Sequence, residues 1–267
     1  MIRLDRIRLV SADPETLAGF YIGALGFSRG ATVRRAGETV VPLRLGAQAV
    51  DLVGYDAPGR PYPAQVPGWS PLFQHIAIVV SDMAAAHARL AARAGWRAIS
   101  TAGPERLPAS SGGVDAFKFC DPEGHPLELL AFPTGREPEV WRGPGPDICL
   151  GLDHSAISVG DTQASLAFYR GLGFSVLSRS INTGPEQARL DAVAEPRVTV
   201  TGLAPPGAPT PHVELLCYAG PFARAGLTCD DHDIAATVLV FSGADAPPRE
   251  DAPRRLRDPD GHRLLLT

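Results

Sequence analysis

The stretch Leu152–Phe174, LDHSAISVGDTQASLAFYRGLGF, decides how the rest of the chain reads. It opens on a short apolar run with His154 near its head. Asp161 follows seven positions later as a helix cap, and helically spaced apolar residues lead to Gly173-Phe174. LDRIRLVSADPETLAGFYIGALGF (Leu4–Phe27) and FQHIAIVVSDMAAAHARLAARAGW (Phe73–Trp96) repeat the phrase. A single offset of 69 residues separates Arg6 from His75, Asp13 from Asp82 and Gly26 from Gly95. A worn fourth copy, DIAATVLVFSGAD, holds a strand and Asp245 seven after Val238, but no legible helix in APPREDAPRR, where a loop is expected. So short a unit cannot bury its own apolar face, and the copies must pack on one another.

In the first copy the helix is followed by three strand-like runs, SRGATVRRAG, ETVVPLRLG and AQAVDLVGY, separated by glycine turns. The unit is therefore βαβββ. Four such modules are expected, over 1–55, 72–133, 150–219 and 232–267. They group into an N-terminal domain (1–133) and a C-terminal domain (148–267), α+β in class, with curled mixed sheets. Pro- and Gly-rich stretches at 56–71 and 133–147 read as linkers. The third module is about fifteen residues longer than the first, because Asp153 follows Asp5 by 148 and Glu214 follows Asp51 by 163. The extra length falls in NTGPEQARLD or APPGAPTP.

Composition narrows the function. The 267 residues are 45% hydrophobic and 20% charged, as in a folded globular chain. A formal charge of −4 without a basic stripe argues against a nucleic-acid partner. No apolar run is long enough for a membrane span, and MIRLDRIRLV lacks a signal-peptide core. Cys120, Cys149, Cys217 and Cys229 form no CxxC pair, which suits a reducing cytoplasm.

Chemistry survives where the copies differ. At the strand heads stand Arg6, His75, His154 and Val238; on the last strands stand Asp51, Glu128, Glu214 and Leu265. The two inner modules each keep a His and a Glu, the Glu between leucines in LELL and VELL. A carboxylate on an inward apolar face needs a partner. His75, Glu128, His154 and Glu214 make a divalent-metal site, for Fe, Zn, Ni, Mn or Co, with Glu128 or Glu214 able to act as base. The bland alternative is a polar pocket without metal, or glutamates facing solvent. Asn182, Gln187 and Arg189, in the loop after the third helix, are candidate substrate contacts. His125 and His262, in DPEGH and DPDGH, read as turn residues, and Phe168 and Tyr169 as helix core.

LDHSAISV…FYRGLGF, HIAIVVSD and DPEGHPLELL together resemble the vicinal oxygen chelate superfamily: glyoxalase I, bleomycin-resistance proteins and extradiol dioxygenases. The resemblance implies paired βαβββ modules, one divalent metal ion, a small oxygen-rich substrate, and a monomer or homodimer. It places His75, Glu128, His154 and Glu214 on the family's ligand positions, while Arg6, Val238 and Leu265 depart from them. A complete set therefore needs the second module against the third, giving one metal site across the two domains. A site of His75 and Glu128 completed by Asp51 is the alternative. The implied activity is glyoxalase-like lyase or isomerase chemistry, with an Fe(II) dioxygenase or a non-catalytic drug-binding protein as alternatives.

Overall fold

The computed structural model describes residues 1–143, 147–220, 229–243 and 253–267. The first module holds β1 (Arg3–Val10), α1 (Pro14–Leu25), β2 (Ser28–Arg29), β3 (Val33–Arg35), β4 (Glu38–Leu45) and β5 (Gln48–Tyr55). The second holds β6 (Gln74–Val80), α2 (Met83–Ala91), β7 (Arg97–Ala98), β8 (Glu105–Arg106), β9 (Asp115–Cys120) and β10 (Pro126–Ala131). The third holds β11 (Cys149–Ser158), α3 (Thr162–Gly171), β12 (Ser175–Thr183), α4 (Pro185–Asp191), β13 (Arg197–Ala204) and β14 (His212–Tyr218). The fourth keeps β15 (Val238–Ser242), β16 (Arg254–Arg257) and β17 (Arg263–Leu266). Its expected loop after Asp245 falls largely on 244–252, outside the described residues.

The predicted caps start the first three helices. Asp13 accepts from Thr16 N, Asp82 from Ala85 N, and Asp161 from Gln163 N and Ala164 N. Each satisfies backbone donors that the first helical turn leaves unpaired. Gly26 ends α1 at φ 74, a left-handed cap that a side chain would strain.

The modules pair across the chain rather than along it. One mixed sheet runs β16-β17-β15-β1-β5-β4-β2, so it joins the first module to the fourth; the other runs β12-β13-β14-β11-β6-β10-β9-β7 and joins the second to the third. The short strands β3 and β8 flank β4 and β9. Each sheet is antiparallel at its central joint, β1 with β15 and β6 with β11, and parallel one strand further out. One face of each sheet feeds a common core. Ile7 and Leu9, Ile76 and Ile78, and the helix residues Leu17, Tyr21, Leu90, Leu166 and Tyr169 belong to one apolar cluster.

The DPEGH and DPDGH turns fasten the sheets together. His125 sits between Asp121 Oδ2 (2.8 Å from Nδ1) and Val10 O (2.9 Å from Nε2), reaching from the second module to the end of β1. Its counterpart His262 brings Nε2 to 2.9 Å from Ser158 O at the end of β11. Glu123 accepts from Ser11 Oγ, Ala12 N and Asp13 N, while Asp260 accepts from Gly160 N. Tyr21 and Tyr169 donate to Asp121 and Asp258 from the core side. These histidines are structural parts of turns, as the sequence reading expects.

Candidate metal centre

Every residue of β6 and β10 is buried. Alternation sends Ile76 and Ile78, Leu127 and Leu129 to the core, which leaves His75 and Glu128 on the opposite face. On β11 a bulge does the same for His154. Leu152 pairs with Ile78, but His154 pairs with Ala77, so one extra residue, Asp153, is absorbed between them. Without that bulge His154 would not share its face with His75. On β14, His154 lies opposite His212, and Ala156 opposite Glu214.

The four predicted residues therefore converge between β6, β10, β11 and β14. His75 Nε2 is 2.9 Å from Glu128 Oε2, and His154 Nε2 is 3.7 Å from the same oxygen and 3.5 Å from Glu214 Oε2. The His75 and His154 ring centroids are 5.6 Å apart. Among the described residues, two groups bring their ligand atoms within 4.8 Å of one another: His75, Glu128 and His154, and, sharing His154, a second with Asp153 and His212. Glu214 stands slightly outside the first, with its other oxygen 3.5 Å from His212 Nε2. Asp51 lies in the other sheet, 3.4 Å from Arg6, and takes no part.

Two observations test whether a cation fits. Neither nitrogen of His75, nor Nε2 of His154, makes a properly directed hydrogen bond, although all three are buried. Buried polar atoms are rarely left so. His154 Nδ1 is 3.0 Å from Asp153 Oδ2, and Asp153 also accepts from Trp141 Nε1 at 3.0 Å. An Nδ1–H donated to a carboxylate leaves the Nε2 lone pair facing the cluster, the arrangement of metal-bound histidines. The residues fit a divalent ion.

Charge points the same way. Glu128, Glu214, Asp153 and Asp191 are set against one buried amine, Lys118, whose Nζ is 2.7 Å from Asp191 Oδ1. Burial opposes the charged form of Glu128, but Lys118 and then His154 and His75 hold its carboxyl well below the usual range. Glu214 is likewise held low against burial by His154. Burial and Lys118 push the proton affinity of His75 down, whereas Glu214 and Asp153 raise that of His154 well above the ordinary imidazole value despite its burial. Glu128 and Glu214 favour the ionised form and His75 the neutral form, the states in which these side chains bind metal, whereas His154 favours its proton and would have to give up the one on Nε2 to an incoming ion.

Each of the three candidate substrate contacts is engaged by a neighbour within the fold. Asn182 accepts from Ser180 Oγ; Gln187 donates to Asp191 Oδ2; and Arg189 is turned to Glu105, with Nε 2.7 Å from Oε1. The NTGPEQARLD stretch forms helix α4, whose end delivers Asp191 to Lys118 and to the hydroxyl of Tyr218 at 2.7 Å. The sequence reading missed His212, Asp153 and Lys118. His212 was within reach, since it stands two before Glu214 on one strand. Lys118, in FKF, lies opposite Glu128. Asp153 carries no signal that one strand counts an extra residue there.

The family model for the glyoxalase/bleomycin resistance protein/dioxygenase superfamily matches residues 3–129 and 151–266. The chain belongs to this superfamily. Among solved structures it is similar to glyoxalase I from Zea mays, with TM-score 0.65 and 18% identity, covering 100% of this chain and 92% of that one. It is also similar to a putative dioxygenase from Bacillus subtilis subsp. subtilis str. 168, with TM-score 0.58 and 10% identity, covering 98% and 84%. At these identities the likeness shows the fold alone. No curated protein sequence matches the chain significantly.

Proposed function

We propose that the chain is a divalent-metal-dependent enzyme acting by glyoxalase-like proton transfer on a small molecule with neighbouring oxygens, at one site between β6, β10, β11 and β14. The observation that carries this reading is the set of undirected buried nitrogens on His75 and His154, gathered around Glu128 Oε2. His75, Glu128 and His154 would hold the ion, with Glu214 as a fourth ligand. The bound ion would supply Lewis-acid polarisation of the substrate's oxygens.

The proton belongs to Glu214. It stands outside the tight trio and its side chain is 20% exposed, against 8% for Glu128. Glu128 is pinned by His75 and by the field of Lys118, so it stays a fixed ligand. A carboxylate free to swing can take the proton from a hydroxyl-bearing carbon beside a carbonyl and return it to the carbonyl carbon, while the hydroxyl proton passes to the former carbonyl oxygen, leaving the substrate isomerised. His212, 3.5 Å from Glu214, holds it in place between turnovers.

Metal analysis of purified protein tests the reading, with about one ion per chain expected, lost in His75→Ala. Protein without metal that gains none on titration would instead favour a binder of the drug-sequestering kind. A second reading has its own support: His75, Glu128 and His154 alone form a two-His, one-carboxylate trio, the set used by Fe(II) oxygenases. Oxygen uptake with Fe(II) and catechols separates it from proton transfer, which is read as solvent-deuterium exchange. A cytoplasmic location is proposed from four unpaired cysteines; among the described residues no helix is long and apolar enough to cross a membrane. The site's proposed ligands all come from one chain, so either a monomer or a homodimer satisfies it.

A further inference from the structure

The sheet of the first and fourth modules has a cleft where the other sheet holds its histidines and glutamates. Register puts Val238 and Leu265 at the places of His75 and Glu128, which removes two ligands. Arginines have come in. Arg8 lies opposite Val238, Val238 opposite Arg263, and Arg263 opposite Arg257, so one row across four strands carries three guanidiniums on one face. Arg255, opposite Leu265, adds a fourth.

These side chains line a cavity of about 340 Å³. Among the described residues, two carboxylates share it. Glu38 takes Arg8 at 3.0 Å, and Asp231 takes Arg257 and Arg263 at 2.9 Å each and Arg255 at 3.8 Å. Arg263 and Arg8 are largely shielded, their side chains 11% and 23% exposed. Like charges directly opposite on neighbouring strands repel, and one carboxylate cannot answer three guanidiniums. The remaining wall is apolar or aromatic: Val53, Val238 and Leu265, with the stacked rings of Tyr55 and His232, centroids 4.0 Å apart.

We propose that this cleft is a second binding site, for a small organic dianion: two carboxylates on an apolar or aromatic body. The acids engage Arg257, Arg263 and Arg255 in exchange for part of their contact with Asp231. The body rests on the valines and against Tyr55. Planar guanidiniums match carboxylates two bonds at a time, which suits a dicarboxylate.

Calorimetric titration with phthalate at low ionic strength tests this, beside benzoate and inorganic phosphate. One phthalate per chain is expected, on the order of tenfold tighter than either comparison anion. Arg257→Gln weakens phthalate by about tenfold, whereas Asp231→Asn, which removes the competing internal acid, tightens it. Opposite signs are the signature, since a merely disturbed cleft would weaken in both. Absence of phthalate binding overturns the proposal. So does equal binding of phosphate, which marks a nonspecific anion site, or a loss of the same size in both variants. The residues lie in the sheet away from His75 and His154, so failure here leaves the metal reading standing, and failure there leaves this one.

Discussion

Glu128 and Glu214 are the same residue type in nearly the same sequence context, and their surroundings set them to different work. Glu128 faces Lys118, His75 and His154; Glu214 faces His154 and His212 with some solvent access. Glu214→Gln is expected to keep the metal while lowering turnover roughly 10²–10⁴-fold, as measured by single-turnover exchange and metal content on the same sample. Glu128→Gln should lose metal as well. A different kind of histidine closes the DPEGH turn. Both ring nitrogens of His125 face acceptors, Asp121 and the Val10 carbonyl, and only the imidazolium can donate to both. Burial opposes that charge, but Asp121 and Glu123 raise the proton affinity of His125. The fold thus binds this proton more tightly than the unfolded chain does. Its stabilisation is complete below the ordinary imidazole value of 6.5 and is lost as pH rises through the raised folded-state value. His125→Gln should lower Tm most in mildly acidic buffer, with the gap to the parent narrowing in alkaline buffer.

Among the elements, the bulge in β11 is what turns His154 onto the face of His75 and Glu128. Asp153 occupies it, and Trp141 of the 133–147 linker anchors Asp153 from the far side. Trp141 in turn needs Gly151, where an added Cβ would stand 2.7 Å from the indole ring. Asp153→Asn should leave the fold intact and weaken metal binding about 10–100-fold, read by chelator competition. Gly151→Ala, by displacing Trp141, should move in the same direction and also lower Tm. This level is where the sequence was least legible. Asp13, Asp82 and Asp161 announce their helices, because a cap followed by apolar periodicity is a local signal. A bulge changes a count by one residue and leaves no trace in composition. Likewise Trp141 sits in a Pro- and Gly-rich run whose composition says linker, while its ring is buried for a reason that lies ten residues further along.

Across the whole molecule, a fourfold repeat has become two unlike clefts. The inner modules keep histidines and glutamates; the outer ones hold arginines and aliphatics at the corresponding places. Strand pairing between β6 and β11 spans 69 to 83 residues of chain, so no local pattern could announce it. The legible signal was chemical: Arg6, Val238 and Leu265 offer no lone pair for a ligand set, whereas His75, Glu128, His154 and Glu214 do, and the structure brings those four together. The surroundings of Arg189 and Gln187 were less legible: they bond Glu105 and Asp191, the first distant in sequence and the second brought within reach by a short helix. The proposed cation, held jointly by the second and third modules, is best sought by anomalous diffraction from crystals grown with Zn²⁺ or Ni²⁺. One strong peak per chain is expected within bonding distance of His75 Nε2, His154 Nε2 and a Glu128 oxygen; a peak elsewhere, or none between those two imidazoles, would rule a shared cation out.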